Sequence, residues 1–265
     1  MGSRRGSARP TFEVKVLQKN DDWTEDRLLG GRVILRQPRR GLRAAIDPVL
    51  LAAAVPAKAG DRVLEIGAGT GAAALCLARR VEGVLVHGLE LQRDLAGLLS
   101  DNAAANGLAD RVLAVPGDLL RPPTIMERDT YDHVLANPPY LDPASADSPA
   151  DEGRKIATVQ GEADLEDWVR FGLSMTKPRG TYTVIHRADR IAELLAAFSR
   201  ETGGIVVFPL WPRAGQAAKR VIVQARKGSG APLTLAPGLA LHDAGSGYTQ
   251  EAEAALRHAS ALKLA

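Results

Sequence analysis

Apolar residues recur along this chain in short runs, and stretches with helical spacing lie between most of them. Residues 63–66, 84–90, 112–118, 131–136 and 181–186 each read as a buried strand. Residues 72–80, 91–106, 165–175 and 187–200 carry apolar positions at helical intervals. Strand alternating with helix predicts a parallel sheet with helices on both faces. Two further strands, 205–210 and 220–225, flank a polar connection. The pattern thins at both ends. Residues 1–10 are small and basic and are expected to be disordered. Residues 11–40 are expected to form a cap made of a short turn or helix and then a strand. One α/β domain is expected over 41–230, and 231–265 are expected to be a tail with one short helix starting near Thr249. Residues 142–161 lack a clear period and are a candidate lid.

The chemistry is concentrated where strands end. Asn137-Pro138-Pro139-Tyr140 follows the strand 131–136, at the edge where open α/β sheets bind ligands. Two prolines stiffen the loop and remove two N–H donors. The Asn137 amide oxygen and the Pro138 carbonyl can together accept both hydrogens of a planar amino group. Tyr140 can stack on the ring that carries it. Upstream, 63–66 runs into Gly67-Ala68-Gly69-Thr70-Gly71, with Glu65 two residues before the first glycine. Glycine allows a tight turn and a close backbone approach to a ligand. Glu65 would repel a pyrophosphate but not an ammonium or a sulfonium.

Asn137-Pro138-Pro139-Tyr140 resembles motif IV of the amino-methyltransferases that act on adenine N6, cytosine N4 or a glutamine amide. The glycine loop resembles motif I of the class I S-adenosylmethionine (SAM) methyltransferases. That resemblance implies a Rossmann-like, seven-stranded, mostly parallel sheet with an antiparallel last strand. It implies a cofactor site containing Asp47, Glu65, Gly67, Gly69, Gly71, Glu90, Asp118 and Asn137. Glu90 ends the strand 84–90, 25 residues after Glu65 (90 − 65), and is expected to be an exposed acid on the ribose hydroxyls. Asp118 ends the strand 112–118 and would accept from the adenine amino group. Asp47 reads equally well as a helix N-cap and as a cofactor contact. Leu29-Gly30-Gly31-Arg32-Val33, the stretch 41–51, Asn102-Ala103-Ala104-Ala105-Asn106-Gly107 and Gly245-Ser246-Gly247-Tyr248-Thr249 extend the resemblance to the bacterial adenine-N6 methyltransferases of valine tRNA, which modify the adenine 3′ of the anticodon. Catalytic roles would then fall to Asn137, Pro138 and Tyr140.

Composition narrows the alternatives. The chain is 45% hydrophobic with a single cysteine, which excludes a disulfide framework. No run is apolar and long enough to span a bilayer, no signal core follows the N-terminus, and no Cys/His spacing points to a metal. A cytoplasmic, metal-free protein is expected. The net charge of +3 is modest. Arg36, Arg39, Arg40 and Arg43 nevertheless cluster ahead of Asp47, where they can meet the phosphates of tRNA or another structured RNA. Two other readings stay open. The glutamine-N5 methyltransferases of release factors share the Asn-Pro-Pro-Tyr loop but carry a longer helical domain before it. A non-catalytic SAM-binding RNA-binding subunit would not need an intact Asn137. A DNA adenine methyltransferase would need a target-recognition domain that the length does not accommodate.

Overall fold

The computed structural model describes residues 23–39, 43–139 and 163–265. The expected tail 1–10, the candidate lid, Tyr140 and Arg40 lie outside the described residues.

Seven strands form the expected frame: β3 (Arg62–Ile66), β4 (Leu85–Glu90), β5 (Val112–Pro116), β6 (Tyr131–Ala136), β7 (Thr176–Arg187), β8 (Thr202–Arg213) and β9 (Arg220–Lys227). They lie in the order β8-β9-β7-β6-β3-β4-β5, with β9 antiparallel to both its neighbours. The other pairings among the seven are parallel. A period of two sends alternate side chains to opposite faces. Val63, Val86, Leu135, Ile185 and Ile222 join one buried cluster with α1 (Asp47–Ala54), α2 (Ala72–Arg80) and α3 (Arg93–Ala105). Leu64, Ile66, Leu89, Val134 and Val184 join the other, with α4 (Leu165–Met175) and α5 (Ile191–Phe198). Both faces are therefore covered, which explains why the strands read as nearly continuous apolar runs.

Four departures from the sequence reading have local causes. Trp23–Leu28 is not a turn or helix but a strand, β1, pairing antiparallel with β2 (Val33–Pro38) through the 3-10 turn Leu29–Gly31. Its polar letters mislead because the hairpin is only half-buried. The stop after α4 does not leave the sheet: 177–180 form an irregularity inside β7, where Tyr131 pairs with Thr176 and His133 with Thr181. Arg187 closes β7 rather than opening a helix; a 3-10 turn at Ala188–Arg190 precedes α5. Finally, the C-terminal segment adds β10 (Thr234–Leu235) and β11 (Leu239–His242) to the free edge of β8, making nine strands in all. The expected last helix, α6 (Gln250–His258), is capped by the Thr249 hydroxyl, which accepts from the Ala252 N–H.

Candidate active site

The parallel strands all present their carboxyl ends to one edge, and the candidate residues gather there. Chain leaving β3 turns through Gly67, Gly69 and Gly71, all with positive φ (66°, 54° and 89°). A Cβ at Gly67 would lie 2.5 Å from the Trp168 ring, and one at Gly71 would lie 2.8 Å from Leu99 Cγ. Only glycine fits either place. Nothing crowds Gly69, so its backbone faces open space.

Two buried acids tie this loop down. Glu65 is fully enclosed, and its Oε2 accepts the Ala74 N–H in the first turn of α2 at 2.8 Å. Burial pushes its pKa up to about 8, opposed by the Ala74 hydrogen bond and reinforced by Glu90 nearby. Glu90 was expected to be exposed; it is 4% exposed. Its Oε2 accepts the Gly69 N–H and its Oε1 the Gln92 N–H, each at 2.8 Å. Burial raises its pKa too, while its backbone hydrogen bonds pull the other way. The residue at the end of this strand is thus part of the loop's support as well as of its lining.

A shallow cleft, open to solvent, runs between Gly67, Glu90, Gly117, Asp118 and Trp168. An ionised carboxylate offers about four lone-pair positions, so Glu90 can still accept hydroxyl hydrogens after holding two N–H groups. Asp118 Oδ1 accepts the Leu120 N–H at 2.9 Å, leaving its other oxygen 3.5 Å from Arg121 Nε. Apolar walls from Leu89, Leu91 and Leu119 suit a flat ring. These residues fit the adenosine part of SAM. Trp168 was missed by sequence reading, because a tryptophan on an amphipathic helix reads as core. The Asp164–Asp167 capping box that starts α4 one residue before it was the available signal. A wider hollow of about 620 Å3 between Trp211, Gln216 and Gly238 has no titratable group in its lining and is a surface depression beside the β8–β9 turn.

Residues 45–152 match the methyltransferase small domain family. A relative from Bacteroides thetaiotaomicron, named tRNA1(Val) (adenine(37)-N6)-methyltransferase, is 30% identical over 56% of this chain and 61% of its own length. One of the same name from Dickeya chrysanthemi is 29% identical over 72% of this chain and 75% of its own. The chain thus spans about three-fifths to three-quarters of these two relatives. Among solved structures, a predicted O-methyltransferase from Agrobacterium tumefaciens is 26% identical with a TM-score of 0.69, covering 82% of this chain and 98% of that one. The fold of this chain is that of the class I methyltransferases.

Within this fold Asn137 follows β6, whose last residue, Ala136, pairs with Ile66 of β3. The Asn-Pro-Pro loop and the glycine loop therefore leave adjacent strands side by side. Asn137 and Pro139 are half-buried and Pro138 is buried. Asp47 does not cap α1. The N-cap position is Ile46 and makes no side-chain cap, while Asp47 Oδ2 receives Arg220 Nε at 3.0 Å. That pair bridges α1 to the start of β9 at the same sheet edge. The arginine cluster is partly answered by β1. Arg43 binds Asp26 and the Thr24 hydroxyl, each at 2.5 Å. Arg36 lies over the Trp23 ring at 4.8 Å, with Glu25 at 3.8 Å. Arg39 is exposed. Among the described residues no group of acids, histidines and cysteines could hold a metal, and no helix is long and apolar enough to cross a membrane.

Proposed function

We propose that this protein methylates the N6 amino group of an adenine in RNA, the adenine 3′ of the anticodon of valine tRNA. The observation that carries the reading is the placement of Asn137-Pro138-Pro139 directly after β6, which pairs with the strand that leads into the glycine loop, on the sheet edge that also carries the cleft between Glu90 and Asp118. The names of the relatives support the tRNA target.

SAM supplies an electrophilic methyl group on a sulfonium. Glu90 and Asp118 hold its ribose and adenine, and Gly67 and Gly69 leave room for its methionine end beside Glu65. Gly71 shapes the turn by making way for Leu99, and the Asp47–Arg220 pair fixes the entry to α1 beside the same edge. The target adenine must leave its stack to enter. Its N6 lone pair is delocalised into the ring and is a weak nucleophile. The Asn137 amide oxygen and the Pro138 carbonyl accept its two hydrogens and favour a pyramidal nitrogen with the lone pair exposed. With S-adenosylhomocysteine as the leaving thioether, the methylated N6 would carry a positive charge, be strongly acidic and lose a proton to solvent, so no strong base is needed. Tyr140 stacks on the base, worth about 1–3 kcal/mol. Arg36, Arg39, Arg40 and Arg43 meet phosphates. Their local acids, Glu25 and Asp26, make this a modest patch that positions RNA more than it captures it.

The test is a single-turnover assay on an unmodified tRNA(Val) transcript. Asn137→Ala should keep SAM affinity and most RNA affinity while its rate falls by orders of magnitude, because the lost interaction strengthens as the nitrogen pyramidalises. Near wild-type transfer by that variant would overturn the assignment, and methylation of a release-factor glutamine in place of tRNA would replace it.

A further inference from the structure

β2 is an edge with β1 on only one side. Its other side is satisfied by a helix. Asn102 and Asn106 stand one turn apart on α3 and its C-cap, and each carboxamide pairs with one β2 residue as a neighbouring strand would. The Ile34 N–H donates to Asn106 Oδ1 at 2.8 Å, and Asn106 Nδ2 donates back to the Ile34 carbonyl at 2.6 Å. The Arg36 N–H donates to Asn102 Oδ1 at 2.9 Å, and Asn102 Nδ2 returns to the Arg36 carbonyl at 2.9 Å. Ile34 and Arg36 are two apart, which matches the one-turn spacing of the asparagines closely enough for both pairs to close.

Asn102 does more than Asn106. Its second amide hydrogen reaches the Thr70 carbonyl at 3.0 Å, inside the glycine loop. Asn106 spends its second hydrogen on the Asn102 carbonyl, within α3. Asn102 is fully buried, so water cannot replace a lost partner. One planar amide therefore joins two parts: the loop that lies against the cleft and the strand that carries Arg36 toward Arg39. A shift of Thr70 that keeps its hydrogen bond tilts the carboxamide, and the tilt acts on both Arg36 hydrogen bonds.

We propose that Asn102 is a positioning residue that couples cofactor binding to the basic hairpin, so that cofactor and RNA reinforce each other's binding. The RNA half rests on the function proposed above; the link from loop to hairpin does not. Asn106 docks the same hairpin but does not touch the loop, so it separates docking from coupling.

Two measurements test this. Hydrogen exchange at the Ile34 and Arg36 amides is followed with and without S-adenosylhomocysteine, no RNA being present. In the wild-type protein the ligand should slow exchange at Arg36 several-fold. Equal rates with and without the ligand would overturn the coupling, and this arm needs no variant to fold. The affinity for a tRNA(Val) transcript is then measured with and without the same ligand. Couplings of this kind usually amount to between about 5-fold and 150-fold, and the wild-type protein should show at least the lower figure. Asn102→Ser should bring the ratio close to one. Asn106→Ser should weaken RNA binding in both conditions and leave the ratio standing. A ratio unchanged in Asn102→Ser would overturn the assignment. Ligand-dependent protection of the hairpin in a protein that binds no tRNA would instead reject the RNA target and keep the loop-to-hairpin link.

Discussion

Glu65 shows at the residue scale how a site residue acts against stability. Its pKa is about 8 in the folded chain against an ordinary 4.5. Between those values the folded state holds a proton that the unfolded state has lost, so this group makes stability fall as pH rises from about 4.5 to about 8. Glu65→Gln keeps an oxygen for the Ala74 N–H and removes the buried charge. It should raise Tm at pH 8.5, leave it nearly unchanged at pH 5, and weaken SAM binding; thermal melts at both pH values check it. An equal shift at both would mean the charge is not the cause. Glu90 behaves differently, because both its oxygens hold backbone N–H groups. Glu90→Ala leaves two donors unpaired at about 1–3 kcal/mol each. It should lower Tm along with SAM affinity, as calorimetry of both would record. Loss of affinity at unchanged Tm would return Glu90 to the exposed ligand that its sequence position predicted.

At the scale of elements, α4 is a lever on the cofactor cleft. The Asp164 carboxylate accepts the Asp167 N–H at 2.8 Å, and Asp167 reaches back to the Asp164 N–H at 3.1 Å. This box fixes where the helix starts, and one turn later Trp168 lies against Gly67. Asp164→Ala should cost about 1 kcal/mol, lowering Tm by roughly 2–4 °C at this size. Its effect on SAM affinity should be larger than on other surface caps. Trp168 is also a reporter: its fluorescence should change on SAM titration, and Trp168→Phe should remove most of the change, since Trp211 donates to the Pro237 carbonyl away from the cleft and Trp23 senses the cofactor only through Arg36 in the hairpin. A titration signal undiminished in Trp168→Phe would place the cofactor away from Trp168.

The whole molecule is closed by its C-terminal segment. The Leu262 N–H donates to the Ala53 carbonyl at the end of α1, and Leu256, Leu262 and Leu264 are buried in the same cluster as α1 and α2. Burying such side chains contributes about 1.5–3 kcal/mol each, a large share of the roughly 5–15 kcal/mol that holds a domain folded. Removal of residues 243–265 should therefore lower Tm sharply and impair solubility, measurable by thermal melts and by gel filtration. A truncated chain melting like the intact one would make the segment a true tail.

The sequence by itself determined the strand–helix alternation and the order of the glycine loop, Glu90, Asp118 and Asn137. These follow from periodicity and from residues whose backbone demands are local, such as the glycines and prolines. Only the tertiary structure decided that Glu90 is buried and supports Gly69, because a strand-end acid looks the same in sequence whether a loop folds over it or water does. The same holds for Asp47, which pairs with Arg220, a residue 173 positions away. It holds for β1, β10 and β11, whose short or polar sequences become strands only because an edge or a partner is present to pair with them. Asn102 and Asn106 stood out in the sequence as a motif, yet their bonds to Ile34, Arg36 and Thr70 span 32 to 72 residues. A hydrogen bond across that distance depends on the packing of α3 against β2, and no local pattern in the chain encodes it.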